Sequence, residues 1–249
     1  MFDVAADAYD RFMGRYSAPL AASFADFAGV RAGQRVLDVG CGPGALVAEL
    51  LRRELLVTAV EPSPPFAAAA RERHPGLAVH EAAAEELPFG DGAFDAALAQ
   101  LVVHFMADPA GGLAEMARVV RPGGTVAACV WDYGNGRSPL SRFWELAAEV
   151  DPDLADEPPR AGSRQGELVT LLRSAGLTDV EETLLSVEVM HESFDDWWEP
   201  YTLATGPAGV YLAQLDEEQR GRLRELGRSR FPAGGLRLAA AAWAARGRV

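Results

Sequence analysis

The residues best suited to chemistry lie in one short segment that joins an apolar run to three glycines. The run 35–39 is followed by Gly40, Gly42 and Gly44, and a helical pattern begins at Ala45. Glycine tolerates positive φ and lets backbone N–H groups approach a ligand without an intervening Cβ. A strand, a glycine turn and a helix in this order are typical of a nucleotide-cofactor site.

An acidic residue ahead of the glycines bears on which cofactor the loop takes. Read as G-x-G-x-x-A from Gly40, Gly42 and Ala45, the loop alone is compatible with a dinucleotide. Asp38, at the end of the run, suits a cationic group and repels a pyrophosphate. Gly44 makes the loop wider than a pyrophosphate turn needs. These features favour a cofactor with a positive charge.

Apolar strands alternate with amphipathic helices around the loop. The pattern predicts strands at 35–39, 56–60, 77–80, 93–98, 125–130, 178–190 and 236–244. It predicts helices at 4–15, 18–28, 45–53, 109–119, 139–150 and 167–175, one opening at Ser63-Pro64, and two more within 193–231. This alternation predicts an α/β fold with a doubly wound, mostly parallel sheet and helices on both faces.

Composition excludes several classes of partner. The 249 residues carry a net charge of −13, which argues against nucleic acid and against an anionic membrane surface. The late apolar run 238–245 is too short to span a bilayer. Cys41 and Cys129 have neither disulfide-framework nor metal-type spacing, which favours a reducing, cytoplasmic location. We expect a monomer or a homodimer.

Five ordered motifs occupy the first half of the chain. They read DVGCGPG at 38–44, EPS at 61–63, LPF at 87–89, FDA at 94–96 and LAEMARVVRPGG at 113–124. Together they resemble the class I S-adenosylmethionine-dependent methyltransferases, and within them the small-molecule, ubiquinone-biosynthesis-like (type 11) subgroup. The resemblance covers residues 1–130 well and the last third only in outline.

The resemblance implies a Rossmann-like sheet of seven strands whose last strand is antiparallel. It also implies that 1–30 forms lid helices over the cofactor, within a single methyltransferase domain at 1–249. The irregular stretches 132–165 and 193–231 are interpreted as insertions that form a helical cap at the carboxyl edge of the sheet, where open α/β sheets bind ligands.

The same resemblance assigns cofactor contacts. S-adenosylmethionine would lie with its methionine end over the glycine loop, its ammonium near Asp38 and its ribose hydroxyls on Glu61, and Gln100 would contact the methionine portion. The residues that this assigns to the cofactor from the loop and the strand ends are Asp38, Gly40, Cys41, Gly42, Gly44, Glu61, Pro62, Ser63 and Gln100.

The adenine end departs from the family pattern. Pro62 and Ser63 would flank the ring, but Ala83 stands where the family has an aspartate. The exocyclic amine thereby loses an expected acceptor. The backbone of Ala84 or the side chain of Glu85 is the expected substitute.

Two residues of the first helices are candidate lid contacts. Arg15 and Tyr16 would reach the cofactor if the helices fold over it. The alternative is that they belong to a helix surface, where exposed arginines and aromatic rings are common.

Acceptor chemistry points to a few residues after the fourth and fifth strands. His104 is a candidate general base if the nucleophile must lose a proton, or else a packed histidine at a helix start. Trp131 and Tyr133 are candidate pocket residues, although aromatic residues at helical spacing are more often core. His74 and His191 are predicted to lie on the surface, and the histidine spacing predicts no metal site.

These patterns favour methyl transfer to a small, partly apolar acceptor, with S-adenosylhomocysteine as the second product. Displacement at a sulfonium methyl needs mainly proximity, orientation and exclusion of water. Two alternatives stay open. One is an NAD-dependent oxidoreductase, although the chain has no Tyr-x-x-x-Lys set. The other is a protein that binds S-adenosylmethionine without catalysis.

Overall fold

Seven strands form one sheet in this computed structural model, which describes residues 9–152, 154, 160–203 and 206–249. The strands are β1 (Arg35–Val39), β2 (Leu56–Val60), β3 (Ala78–His80), β4 (Phe94–Gln100), β5 (Val120–Trp131), β6 (Thr178–His191) and β7 (Leu236–Arg248). The fifth strand begins earlier than predicted, because Val120 already pairs with Phe94 ahead of a bulge. The seventh runs past the predicted end at 244.

The sheet has the order β3-β2-β1-β4-β5-β7-β6. All neighbouring pairs from β3 to β5 are parallel, and β7 is antiparallel to both β5 and β6. The predicted doubly wound sheet with an antiparallel last strand is confirmed. Asp38 of β1 pairs with Ala59 on one side and Leu98 on the other. The strand order reverses here, and a crevice opens at such a switch point.

The central strands are buried on both faces. Val36 and Leu98 belong to the hydrophobic cluster on one face, and Leu37, Val39 and Ala97 to the cluster on the other. Because successive side chains of a strand point to opposite faces, a strand covered on both sides reads as a continuous apolar run. This burial fixes the strand ends that carry the loops.

Nine α-helices occur in the described ranges. They are α1 (Arg15–Ala28), α2 (Ala45–Arg52), α3 (Pro64–Arg73), α4 (Pro109–Val119), α5 (Ser141–Val150), α6 (Glu167–Ser174), α7 (Phe194–Trp198), α8 (Gly206–Gln214) and α9 (Glu217–Ser229). None of these helices is long and apolar enough to cross a membrane.

The first helix differs from the prediction. A π-helix over Asp10–Gly14 continues directly into α1, so the predicted break near Ser17 and Pro19 is wrong. Pro19 leaves the carbonyl of Arg15 without an i→i−4 donor, and Arg15 is the first residue after the π-helix. The proline therefore falls where the hydrogen-bond ladder changes period. The start of the predicted helix 4–15 lies outside the described residues.

The region 193–231 also differs, since it contains more than the two predicted helices. A 3-10 helix, Glu199–Leu203, separates α7 from α8, and α9 follows. These helices and α5 build a third hydrophobic cluster, to which Phe12 of the π-helix contributes. Phe143 stacks on Tyr201 with 4.6 Å between ring centroids. Most of the aromatic residues of this region therefore form core, as is usual for aromatic residues at helical spacing.

Candidate functional site

The glycine loop between β1 and α2 turns sharply at the carboxyl edge of the sheet. Gly40, Gly42 and Gly44 have φ of +71°, +54° and +101°, a region that glycine enters without steric cost. The amides of Gly40 and Cys41 both donate to the carbonyl of Val60, over 2.8 and 3.0 Å. The loop is thereby tied to the end of β2.

Glu61 holds the same loop from the other side. Its Oε2 accepts from the Gly42 amide at 2.8 Å and its Oε1 from the Ser63 amide at 2.9 Å. Burial raises the pKa of Glu61, and these two hydrogen bonds oppose that rise. A carboxylate oxygen accepts more than one hydrogen bond. Glu61 can therefore shape the loop and still offer acceptors to two ligand hydroxyls.

A cavity of about 420 Å³ lies at the switch point of the sheet. Ser17 Oγ, Asp38 Oδ2 and Gln100 Oε1 belong to lining residues, are buried, and have no hydrogen-bond partner within the described ranges. The amide of Gln100 is oriented, because its Nε2 donates to the Ser17 carbonyl at 3.0 Å. Since buried polar atoms are nearly always paired, three orphaned atoms around one cavity indicate a polar ligand.

The ionisable groups of this cavity, which we call the cofactor cavity, include the two carboxyl groups of Asp38 and Glu61. Asp38 is 1% exposed. Burial raises the pKa of Asp38 to about 8, the charge of Glu61 adds to that rise, and a hydrogen bond with the Val47 backbone opposes it. Among the described residues, no lysine or arginine lines the cavity. A cationic ligand would stabilise the ionised form of Asp38.

The N-terminal helix covers one side of the cofactor cavity. Tyr9 and Ser17 line it, and the ring of Tyr9 packs on Phe66 of α3 with 5.4 Å between centroids. Asp10 of the π-helix forms an ion pair with Arg73 at the end of α3. These contacts hold the helix across the site.

The two predicted lid contacts lie elsewhere. Arg15 donates to Asp196 Oδ1 at 2.8 Å and to the Met190 carbonyl at 2.7 Å. The hydroxyl of Tyr16 lies 2.8 Å from His191 Nε2. Neither Arg15 nor Tyr16 lines the cofactor cavity, so both leave the set of proposed cofactor contacts. The helix still lies over the cavity, but with Tyr9 and Ser17 facing it.

The prediction that His191 lies on the surface is wrong, since it is 3% exposed. It connects α1 to α7, because its Nδ1 lies 3.6 Å from Asp196 Oδ2. Burial lowers the pKa of His191 to about 4, the charge of Arg15 lowers it further and that of Asp196 raises it. The imidazole is therefore neutral at pH 7.

The burial of His191 in its neutral form predicts that the folded chain loses stability in acid. The pKa of His191 in the folded chain lies below its unfolded value, so the stability it contributes is present above about pH 6.5 and is lost as the pH falls towards 4. The loss would be on the order of 3 kcal/mol at most. Urea denaturation of the wild type and of His191→Gln at several pH values tests this. An unchanged pH dependence in His191→Gln would contradict it.

The cavity brings together most of the cofactor contacts predicted from the sequence. Those that line it are Asp38, Gly40, Cys41, Gly42, Glu61, Pro62, Ser63 and Gln100. Gly44 caps the N-terminus of α2 without lining the cavity. Ala84 is buried in a hydrophobic cluster, and Glu85 Oε1 accepts from the Asp108 amide at 3.1 Å. Neither Ala84 nor Glu85 lines the cavity, so the structure does not bring these two predicted contacts together with the others.

Sequence reasoning missed several lining residues. Leu101 has a φ of +62°, an uncommon conformation for a leucine, directly after β4. It lines the cofactor cavity together with Ser17, Phe66 and Phe105. Strain of this kind collects at functional sites. A leucine gives no indication of this conformation in the sequence, so Leu101 could not be predicted as a site residue.

A second, smaller cavity adjoins the first. It is lined by the three residues that the sequence analysis placed at the methyl acceptor, His104, Trp131 and Tyr133. Tyr9, Leu101 and Phe105 line both cavities. The other described residues that line this second cavity are Phe12, Met13, Leu140, Arg160, Gly206 and Pro207. We call it the acceptor cavity.

Comparisons with known proteins agree with this architecture. A family model described as a methyltransferase domain matches residues 37–128. An uncharacterized methyltransferase of Mycobacterium tuberculosis (strain ATCC 25618 / H37Rv) is 40% identical over 136 residues, which are 55% of this chain and 54% of the relative. The chain thus spans about half the length of this curated relative. An uncharacterized protein of the same strain is 30% identical over 220 residues, covering 81% of this chain and 78% of that protein.

The chain belongs to the class I S-adenosylmethionine-dependent methyltransferase family. A solved member of the same fold is the phosphoethanolamine N-methyltransferase 2 of Haemonchus contortus in complex with S-adenosyl-L-methionine. It has a TM-score of 0.58 and 17% identity, and the match covers 98% of this chain and 56% of that one. In this chain the motif residues around Gly42 and Glu61 line the cofactor cavity.

Proposed function

We propose that the chain binds S-adenosylmethionine in the cofactor cavity and transfers its methyl group to a small, partly apolar acceptor. The observation that carries this proposal is the trio of buried, orphaned polar atoms, Ser17 Oγ, Asp38 Oδ2 and Gln100 Oε1, around one cavity. A zwitterionic amino acid end supplies the groups that these atoms lack. The donor itself supplies a methyl group already activated by the positive charge of its sulfur.

Each polar residue of the cavity would take one part of the cofactor. Asp38 and the Gln100 carbonyl oxygen would accept from the ammonium. Gln100 is held by its bond to the Ser17 carbonyl, and Asp38 by its hydrogen bond with the Val47 backbone. Glu61 would accept from the ribose hydroxyls while it keeps its bonds to the loop. With no cation among the described lining residues, Ser17 Oγ and the N-terminus of α2 are left to face the carboxylate.

The protein would contribute to the displacement by positioning the two reactants and by excluding water from the reacting atoms. Tyr9 and Phe105 line both cavities. Apolar and aromatic side chains at this boundary would exclude water from the reacting atoms and hold the acceptor in line. We propose that 1–30 acts as the lid and that 132–165 and 193–231 act as the cap, within a single domain that functions as a monomer or a homodimer.

We also propose a cytoplasmic location. Cys41 and Cys129 are both free and buried, which suits a reducing compartment.

Calorimetry tests the cofactor assignment. We expect S-adenosylmethionine and S-adenosylhomocysteine to bind and NAD not to bind, because Asp38 and Glu61 suit a cation and no lysine or arginine among the described lining residues could balance a pyrophosphate. Binding of NAD alone would overturn the proposal in favour of an oxidoreductase. Binding of S-adenosylmethionine without formation of S-adenosylhomocysteine, over a panel of small phenols, amines and carbon acids, would favour the non-catalytic alternative.

A further inference from the structure

A buried contact between Tyr16 and His191 links the N-terminal helix to the corner where the region 193–231 begins. Tyr16 lies in α1, and His191 ends β6 just before Ser193, the N-cap of α7. The Tyr16 hydroxyl lies 2.8 Å from His191 Nε2, and the two residues are 2% and 3% exposed. Breaking a hydrogen bond costs more where water cannot replace it, so this pair holds the helix against the corner.

The charges around His191 decide which group of the pair donates. A neutral imidazole carries a proton on one ring nitrogen and accepts with the other. Its Nδ1 lies 3.6 Å from Asp196 Oδ2, and a lone pair on Nδ1 would be repelled by that carboxylate. The proton therefore belongs on Nδ1, and Nε2 accepts from the Tyr16 hydroxyl. Burial raises the pKa of Tyr16, so the hydroxyl keeps its proton and remains a donor.

Tyr16 adjoins groups that line both cavities, although it is not among the described lining residues of either. Its ring meets that of Trp131, which lines the acceptor cavity, edge to face with 6.5 Å between centroids. The next residue, Ser17, lines the cofactor cavity, and its carbonyl accepts from Gln100 Nε2 at 3.0 Å. Fixing Tyr16 therefore fixes the turn of α1 that supplies Ser17 and orients Gln100.

This turn of α1 has little support from the helix's own hydrogen bonds. The π-helix ends directly before it, and Pro19 offers no N–H to the carbonyl of Arg15. Contacts from outside the helix must then hold the turn. One is the ion pair of Arg15 with Asp196, whose side chains are 29% and 37% exposed, and such pairs contribute little. The buried bond from Tyr16 to His191 is the stronger anchor.

We propose, on the basis of the proposed binding of S-adenosylmethionine, that His191 is a positioning residue for the cofactor, because its hydrogen bond to Tyr16 holds the turn that presents Ser17 and Gln100 to the amino acid end of that molecule. The two cavity groups are then ordered before the cofactor arrives. Binding costs less free energy when the protein groups are already in place. Loss of the pair would weaken binding without removing an atom that touches the cofactor.

The experiment measures the binding of S-adenosylhomocysteine by isothermal titration calorimetry at pH 7, on variants whose folding is checked by circular dichroism. Tyr16→Phe removes only the hydroxyl and should weaken binding about tenfold, the effect of one hydrogen bond. His191→Leu should weaken it to a similar extent. Because both changes break the same contact, the double variant should lose no more affinity than either single variant. Additive losses, or wild-type affinity in either single variant, would overturn the proposal.

Two amide variants separate the hydrogen bond from the packing of the ring. The amide of His191→Gln can reach the position of Nε2 and accept from Tyr16, whereas the shorter amide of His191→Asn reaches only the position of Nδ1. His191→Gln should therefore bind S-adenosylhomocysteine within about twofold of the wild type, and His191→Asn should bind as weakly as Tyr16→Phe. A purely structural role for His191 predicts no such rescue, so equal affinities of the two amide variants would contradict a positioning role.

Leu223→Ala is the matched control for stability. Leu223 of α9 is fully buried in the third hydrophobic cluster and is not among the described residues that line either cavity. Its truncation should lower the melting temperature at least as much as Tyr16→Phe does, but leave the affinity unchanged. A parallel loss of affinity in Leu223→Ala would show that binding follows stability and not this contact, against the proposal.

The wild type separates the two levels of the argument. If it binds S-adenosylhomocysteine and the variants at Tyr16 and His191 bind equally well, only the positioning role fails. If the wild type does not bind S-adenosylhomocysteine, the proposed function itself fails.

Discussion

Asp38→Asn is expected to weaken the binding of S-adenosylmethionine by roughly two to three orders of magnitude. Asp38 is buried, its Oδ2 has no partner in the described chain, and it is the group proposed to face the ammonium. Removing one partner of a buried charge pair costs about 2–5 kcal/mol. The uncharged amide would keep the shape of the side chain but lose the charge. Isothermal titration calorimetry of the two proteins measures the difference.

The raised pKa of Asp38 adds a second readout. With a pKa of about 8, the carboxyl is largely protonated at pH 7 in the free protein. Pairing with an ammonium would ionise it, so binding should release close to one proton per site, and affinity should rise between pH 6 and 8. Calorimetry in buffers of different ionisation heat counts these protons. Asp38→Asn should release none.

The same substitution should stabilise the free protein at high pH. The pKa of Asp38 in the folded chain lies above its unfolded value, so the stability linked to this group is present in acid and is lost as the pH rises towards about 8. Asp38→Asn removes that loss, and its melting temperature at pH 8 should exceed that of the wild type. Asp26→Asn, at an exposed ion pair with Arg53, controls for net charge. Tighter cofactor binding to Asp38→Asn would contradict the assignment.

The sequence predicted the part of the site that follows directly from strand ends. Once β1 and β2 are recognised as buried parallel strands, their register places Val39 beside Val60. The residues that follow them, Gly40 and Glu61, must then meet at one edge of the sheet. The local sequence pattern and the geometry of a parallel sheet are therefore sufficient to predict that the glycine loop and Glu61 lie together.

The residues supplied by the N-terminal helix could not be assigned in the same way. Which side of α1 faces the cavity depends on how the helix packs, and packing is decided by distant residues such as Asp196 and His191. Arg15 is drawn to Asp196, 181 residues away. Ser17 is two residues further along the helix and therefore on the opposite side, and it lines the cavity instead. The periodicity of a helix gives its faces but does not say what each face will meet.

The predicted helix break at Pro19 failed for a related reason. Proline disfavours a helix interior because it removes one hydrogen bond and crowds the preceding turn. The π-helix before α1 changes the ladder at that turn, and no residue pattern announces it. The tertiary contacts of Tyr16, Leu20 and Phe24, all buried, keep the helix continuous.

Substitutions in the glycine loop should separate backbone shape from ligand space. A Cβ on Gly40 would lie 2.6 Å from Val102 Cγ1, and its φ of +71° is strained for alanine. We expect Gly40→Ala to lose about 2–3 kcal/mol of unfolding free energy, from strain and overpacking together, and to abolish cofactor binding. Thermal denaturation and calorimetry measure the two effects.

Gly42 differs from Gly40 in a way that makes it the decisive variant. A Cβ there meets nothing within 4 Å, although Gly42 lines the cofactor cavity. Gly42→Ala should therefore cost only the strain of its positive φ, about 1–2 kcal/mol, while its methyl group takes up space proposed for the cofactor. Gly76→Ala has a comparable positive φ and open surroundings away from the cavity, so it should show the strain without a loss of binding. If Gly42→Ala bound S-adenosylmethionine as tightly as Gly76→Ala does, the cofactor would not lie against this loop.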